Sequence, residues 1–116
     1  MSDSRVIRIG DIAPALPALH YDLKSRRIVN DADARSFRIS HVTLDPGGRS
    51  DPHVHAGVEQ LYLVLKGAMG VQIEGQEFRL KPGEAALVQP GEKHRNFNVD
   101  PGETEYLVIT GTAATN

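Results

Sequence analysis

Cysteine is absent from this chain of 116 residues, and neither sign of charge dominates. Without cysteine, neither disulfide bonds nor a zinc site built from thiolates can hold the fold. No apolar run approaches the length of about 20 residues that a membrane-spanning helix needs. The first residues, MSDSRVIRIGDIAP, also lack the apolar segment of a signal peptide. We therefore expect a cytoplasmic protein that does not associate with membranes.

The charge balance argues against binding to nucleic acid. Thirteen Lys and Arg residues stand against fifteen Asp and Glu residues, which gives a formal net charge of −2. The longest basic run, residues 24–27, is typical of a solvated loop or a strand edge. Nothing in this pattern predicts binding to nucleic acid. The length of the chain predicts one domain with a single core.

Glycine and proline divide the chain into short apolar segments. Eleven glycines and seven prolines are many for this length, and no segment shows sustained helical periodicity. Pro-Gly pairs mark turns at residues 46–47, 82–83, 90–91 and 101–102. Many short strands separated by such turns predict an all-β fold, either a closed barrel or a double-sheet jelly roll.

We divide the chain into an N-terminal extension (residues 1–35), a barrel (residues 36–111) and a flexible tail (residues 112–116). The extension contains only weak strand candidates. In the barrel, we expect a first strand over residues 36–44 that ends at the turn 45–48, followed by a strand that carries His53 and His55.

Three histidines and a glutamate predict a metal site. Side chains alternate along a strand, so His53 and His55 would point to the same side of the sheet. Glu59 follows His55 by four positions, and His94 belongs to a distant strand. Neutral imidazole and carboxylate suit divalent transition metals and need no thiolate.

The same residues resemble the two sequence motifs of the cupin family. The first motif is a glycine, five residues, His-x-His, three or four residues, glutamate, six residues and a glycine, and Gly47, residues 53–59 and Gly67 match it. The second motif is matched from Gly83 through His94 to Asn98. Two departures are Gln89, where the family usually has proline, and a gap of seven residues after Glu59.

The longer gap leaves two candidates for the fourth metal ligand, Glu59 and Gln60. We favour Glu59, because an anionic oxygen compensates the charge of a metal ion and a neutral amide binds weakly. By alternation, Glu59 would share a strand face with Leu61 and Leu63, while Gln60 would face the other way with Tyr62.

The resemblance implies a double-stranded β-helix with one divalent transition metal ion (Fe, Mn, Ni or Zn) in the mouth of the barrel. It also implies a homodimer, often formed by exchange of N-terminal strands, and a small-molecule substrate or ligand. Three histidines and a carboxylate would leave one or two open positions on a six-coordinate ion, as catalytic sites do.

We therefore expect a metal-dependent enzyme that acts on a small oxygen-containing metabolite, with Glu59 as the candidate general base. The reaction would be that of a dioxygenase or of a Lewis-acid isomerase or lyase. The alternative is a non-catalytic cupin that binds or senses a small ligand.

Other polar residues carry weaker signals. We expect His20 and His41 to be ordinary histidines outside the site, and Asn98 to close a turn through backbone hydrogen bonds. A sugar-phosphate substrate would require basic residues at the cavity, and the candidates are Arg38, Arg49, Arg79 and Arg95. The sequence does not indicate that these arginines converge.

Overall fold

The computed structural model describes residues 6–30, 34 and 36–112. Within these residues, the chain forms one short 3-10 helix, Ile9–Asp11, and eight strands. The strands are β1 (His20–Val29), β2 (Phe37–Ser50), β3 (Val58–Lys66), β4 (Met69–Ile73), β5 (Gln76–Leu80), β6 (Ala85–Val88), β7 (His94–Asn98) and β8 (Thr104–Thr112). The prediction of an all-β jelly roll is confirmed.

The strands form two antiparallel layers that join into a nearly closed barrel. One layer has the order β1-β2-β8-β3-β6, and the other has the order β5-β4-β7. The layers meet where the end of β2 pairs with β7, at Arg49 and Phe97. The buried core between them includes Leu44, Val64 and Met69, each fully inaccessible to solvent.

The inner face of the larger layer changes from polar to apolar along the barrel. Arg38, Thr110 and Gln60 form a cross-strand row on β2, β8 and β3. The next rows are Ser40, Val108 and Tyr62, followed by Val42, Tyr106 and Val64. The polar row lies at the end of the barrel where the candidate site is found.

The N-terminal segment belongs to the barrel. β1 pairs with β2 of the same chain from His20 opposite Ser50 to Val29 opposite Ile39. At the other end of the chain, β8 includes Thr112, which we had assigned to the tail, and residues 113–116 lie outside the described part. β1 therefore supplies one wall of the interior.

Two predicted strand boundaries are wrong. β2 does not end at Leu44 but continues to Ser50, because Gly47 takes a left-handed conformation (φ 83°) that bends the strand. Pairing with β1 then resumes opposite Arg49. His53 and His55 do not lie on a continuous strand, since only His53 makes a bridge, and its partner is His94.

The outer face of the larger layer is apolar. Two cross-strand rows run across it, one of Ile39, Ile109, Leu61 and Leu87 and the other of His41, Leu107, Leu63 and Ala85. An antiparallel sheet with one face in water normally alternates apolar inner residues with polar outer ones. Here both faces are apolar, and Leu87 is 51% exposed.

Candidate metal centre

The structure brings His53, His55 and His94 together. One potential ligand nitrogen from each ring lies within 4.8 Å of the others, an arrangement that could hold a metal ion. The ring centroids are 4.3 Å apart for His53 and His94, 4.8 Å for His53 and His55, and 5.3 Å for His55 and His94.

Backbone hydrogen bonds hold this cluster in place. The His53 N–H donates to the His94 carbonyl at 2.9 Å, and the His94 N–H donates to the His53 carbonyl at 3.0 Å. The Gly91 N–H donates to the His55 carbonyl at 2.9 Å, from a turn in which Gly91 has a φ of 81°. Hydrogen bonds thus connect the loop that contains His53 and His55 to the turn at Gly91 and to the strand that begins at His94.

Two of the rings have a defined proton position. Nδ1 of His53 lies 2.7 Å from the Asp51 carbonyl oxygen, and Nδ1 of His94 lies 3.0 Å from that of Glu92. A carbonyl oxygen only accepts, so Nδ1–H donates in both rings and Nε2 keeps its lone pair. This is the arrangement that orients a histidine ligand toward a metal ion.

Nε2 of His94 gives the most direct evidence that the site fits a metal ion. His94 is 2% exposed, and its Nε2 has no hydrogen-bond partner within the described part of the chain. A buried polar atom without a partner is costly, and natural proteins rarely contain one without a ligand, ion or water to satisfy it. An imidazole lone pair beside two further imidazoles suits a divalent transition metal.

The environment of His55 and His94 favours their neutral form. Burial lowers the pKa of His94 and of His55 below the ordinary value of 6.5. The nearby His53 lowers both pKa values further, and the charge of Arg38 adds to the effect on His55. Neutral imidazole is the form that binds a metal ion, so these two rings need not release a proton at neutral pH.

Glu59 lies on the outer side of β3. It is exposed and lines a groove on the outer surface with Gln60, Leu61, Leu87, Ile109 and Gly111. It is not among the residues that line the cavity with His53 and His55. Its roles as fourth ligand and as general base stay predictions.

Gln60 lies on the cavity side instead. It lines the same cavity as His53 and His55, and its Nε2 donates to the Thr110 hydroxyl at 3.2 Å. Its amide oxygen accepts a hydrogen bond from the Tyr62 hydroxyl at 3.3 Å. Both contacts orient the amide, and its oxygen is the described side-chain donor on β3 that could complete a metal site.

Two of the three clustered histidines, His53 and His55, line a cavity of about 220 Å³, and His94 is not among its lining residues. Its wall combines polar and apolar side chains from four strands and two loops, namely Pro17, His20, Leu23, Ser25, Arg27, Arg38, Ser40, Val42, His53, His55, Val58, Gln60, Tyr62, Tyr106, Val108 and Thr110. Burial raises the pKa of Tyr62 and of Tyr106 above the ordinary value of 10.0. Both phenols therefore stay protonated and can donate hydrogen bonds.

Sequence reasoning missed His20 as a site residue. Its ring centroid lies 5.6 Å from that of His53, and its Nδ1–H donates to the Ala18 carbonyl at 2.7 Å. Burial lowers the pKa of His20, and the hydrogen bond to Ala18 opposes this effect in part. Only the pairing of β1 with β2, which sets His20 opposite Ser50, brings it to the site.

His41 lies outside the site, as expected. It is on the outer face of β2, and its Nε2 lies 3.2 Å from the Glu105 carboxylate.

Comparison with known proteins identifies the family. The sequence matches the family described as Cupin domain over residues 40–110, which is more than half of the chain. The chain therefore belongs to the cupin family. A curated relative, the tetracenomycin polyketide synthase protein TcmJ of Streptomyces glaucescens, is 32% identical over 65 residues, 56% of this chain. The match covers 44% of TcmJ, less than half of its length.

Solved structures show the same fold. A predicted oxalate decarboxylase of Thermotoga maritima has a TM-score of 0.82 and 20% identity, with 93% of this chain and 99% of that chain covered. The polyketide cyclase RemF of Streptomyces resistomycificus has a TM-score of 0.80 and 21% identity, with 100% and 88% covered. At these identities the likeness concerns the fold alone. Among the described residues, no helix is long and apolar enough to cross a membrane.

Proposed function

We propose that this cupin is a metal-dependent enzyme that acts on a small oxygen-containing metabolite. His53, His55 and His94 would hold one divalent transition metal ion, with the amide oxygen of Gln60 as the fourth donor. The observation that carries the proposal is the buried, unpartnered Nε2 of His94 beside two further imidazole nitrogens within 4.8 Å.

The donor set favours Lewis-acid chemistry, as in an isomerase, lyase or cyclase. When bound, the metal ion would supply a positive centre that polarises a carbonyl or enol oxygen of the substrate. Three imidazoles and an amide are all neutral, so no protein ligand offsets that charge. The name of RemF, a polyketide cyclase, supports this class over a dioxygenase.

The remaining wall residues would bind and orient the substrate. Tyr106 keeps its phenol proton and is held by Asn96, whose Nδ2 donates to its hydroxyl oxygen at 2.7 Å, whereas Tyr62 donates its proton to Gln60. The cavity wall contains no carboxylate among the described residues. We therefore assign proton transfer to His20, on the ground of its position 5.6 Å from His53.

The size of the cavity limits the substrate. A volume of about 220 Å³ corresponds to roughly seven water molecules at about 30 Å³ each. A molecule of a few carbon atoms fits inside, whereas an aromatic polyketide of several rings would extend beyond the wall. We therefore propose a smaller substrate than the names of TcmJ and RemF indicate.

Metal analysis tests this proposal. Protein purified without added metal or chelator should contain close to one zinc, nickel or manganese ion per chain, and it should take up no oxygen with a panel of small hydroxy and keto compounds. The variant His20→Gln should keep its metal and lose turnover. Iron with substrate-dependent oxygen uptake would favour the dioxygenase. Bound metal without turnover of any compound would favour the non-catalytic binding protein, and absence of metal would exclude both enzymes.

A further inference from the structure

The cavity wall has a charge bias that the chain as a whole lacks. The chain has more acidic than basic residues, fifteen against thirteen. The wall, in contrast, contains two arginines and, among the described residues, no aspartate or glutamate. Charges of one sign in a cleft with low-dielectric walls focus the field and raise the local concentration of ligands of the opposite sign.

The two arginines lie near each other on neighbouring strands. Arg27 of β1 is the cross-strand partner of Ser40, and Arg38 precedes Ser40 by two positions on the same face of β2. Arg38 is in turn the partner of Thr110 on β8. All four side chains line the cavity, so two guanidinium groups and two hydroxyl groups occur on one part of its wall.

The same cavity is lined by Arg27 and Arg38 and by His53 and His55. The arginine pair and the histidines therefore belong to one continuous site. A ligand that contacts both the arginines and the histidines would extend from the guanidinium groups to the imidazole nitrogens.

The other arginines suggested by the sequence lie outside the cavity. Arg49 lies 3.8 Å from the Asp22 carboxylate, Arg79 lies 3.0 Å from that of Glu77, and Arg95 donates to the Gln72 side chain at 2.7 Å. None of these three lines the cavity. The basic character of the wall thus comes from Arg27, which the sequence did not single out, together with Arg38.

We propose that the cavity selects a small carboxylic acid that carries a second oxygen, such as a hydroxy or keto acid. Arg27 and Arg38 bind its carboxylate, and the second oxygen points to the histidine cluster. Guanidinium groups match carboxylates through paired charge-assisted hydrogen bonds. The direction of the second oxygen rests on the metal site proposed above, whereas the binding of the carboxylate does not.

Calorimetric titration of the purified protein with lactate, oxalate and succinate tests this inference. Lactamide is the control without a charge, because it matches lactate in size. Inorganic phosphate is the control for binding of any anion. At least one carboxylate should bind in the millimolar range or tighter. Loss of a charge-assisted hydrogen bond should weaken its binding by about tenfold or more in Arg27→Gln and in Arg38→Gln. Arg79→Gln, an exposed arginine outside the cavity, is the matched control and should bind like the parent protein.

Three results would overturn the inference: no carboxylate binds, lactamide binds as well as lactate, or phosphate binds tighter than every carboxylate. Arg38→Lys keeps the positive charge but cannot form the paired hydrogen bonds of a guanidinium group. This variant should therefore bind the carboxylate with intermediate affinity, and it serves as the test if Arg38→Gln fails to fold. Metal content measured on the same samples separates the two proposals. Loss of carboxylate binding with metal retained contradicts only the ligand class, and absence of metal from the parent protein contradicts only the proposed function.

Discussion

His53 and His94 exchange both of their backbone hydrogen bonds, at 2.9 and 3.0 Å, although β3 to β6 lie between them in the sequence. This bridge fixes the separation of two candidate ligands through the main chain. Hydrogen bonds from Nδ1 to the Asp51 and Glu92 carbonyls then orient the imidazole rings of His53 and His94. Because the main chain holds the two rings, ion binding should require little rearrangement of the backbone.

Replacing one ligand should remove the metal and leave the fold. We expect His53→Ala, His55→Ala and His94→Ala each to lose most of the bound ion, because two imidazoles and an amide hold it weakly. The backbone bridge does not depend on these side chains, so unfolding should remain cooperative, as measured by urea denaturation. His41→Ala, a histidine on the outer face, is the control and should keep its metal. Stoichiometric metal in any of the three ligand variants would contradict the assignment.

Gln60 and Glu59 should differ in their effect on metal affinity. Gln60→Ala removes the proposed fourth donor, and we expect the affinity for Zn²⁺ to fall by about 10- to 100-fold. Glu59→Gln alters an exposed side chain on the outer surface and should leave the affinity unchanged. Competition with a chromogenic chelator measures the Zn²⁺ affinity of both variants. A larger loss of affinity in Glu59→Gln than in Gln60→Ala would indicate that Glu59 is the fourth ligand.

Acid should weaken metal binding. Because burial lowers the pKa of His55 and His94 below 6.5, protons compete with the metal only when the pH falls through these lowered values. The affinity should therefore be nearly constant around neutral pH and decrease well below it. An affinity that stays constant even in strongly acidic solution, below these lowered pKa values, would exclude histidine ligands.

The metal-free protein should also lose stability in acid. The unfolded chain takes up protons at the ordinary histidine pKa of 6.5, before the folded chain does at its lowered values. The unfolded state then binds more protons, so the free energy of unfolding decreases as the pH falls from above 6.5 through the folded-state pKa values. Urea denaturation in the presence of EDTA measures this, and His55→Gln should show a smaller decrease.

The predicted homodimer has a candidate surface in the apolar outer face of the larger layer. The two rows extend across four strands and about four residues along each strand, so strand spacings of about 4.8 Å and a rise of about 3.4 Å per residue give an area of roughly 260 Å². This is about a third of the roughly 800 Å² that each partner contributes to a standard interface, so neighbouring outer residues would have to contribute as well. Glu59 and Lys66 lie near opposite ends of β3. A two-fold axis near Leu63 would therefore place Glu59 of each copy beside Lys66 of the other copy.

Leu87→Glu tests this interface, because Leu87 is 51% exposed in the single chain and the substitution should not disturb folding. We expect it to convert a dimer into a monomer, as measured by light scattering during gel filtration. Val54→Glu, at a position that is 54% exposed in the loop between β2 and β3, is the control and should remain dimeric. A monomeric parent protein, or a dimeric Leu87→Glu variant, would contradict this surface.

Local patterns in the sequence were sufficient for the fold class and for three site residues. Glycine and proline turns, apolar alternation and two motifs with regular spacing predicted an all-β barrel and singled out His53, His55 and His94. Asn98 was also predicted correctly. It bonds the backbone around a turn, accepting from the Asp100 N–H at 2.8 Å and donating to the Gly102 carbonyl at 2.8 Å. These features depend on residues close in sequence, and local chemistry determines them.

Long-range pairing decided the rest of the site. Whether Glu59 or Gln60 faces the interior depends on the register of β3, in which Gln60 lies opposite Thr110 of β8. A shift of one residue would exchange the two faces, and nothing in β3 itself specifies which alignment occurs. His20 and Arg27 reach the cavity only because β1 pairs with β2. The sequence by itself therefore determined the fold and the three candidate ligand histidines, whereas the tertiary structure decided which side chains surround them, because hydrogen bonding between distant strands sets the direction of every side chain.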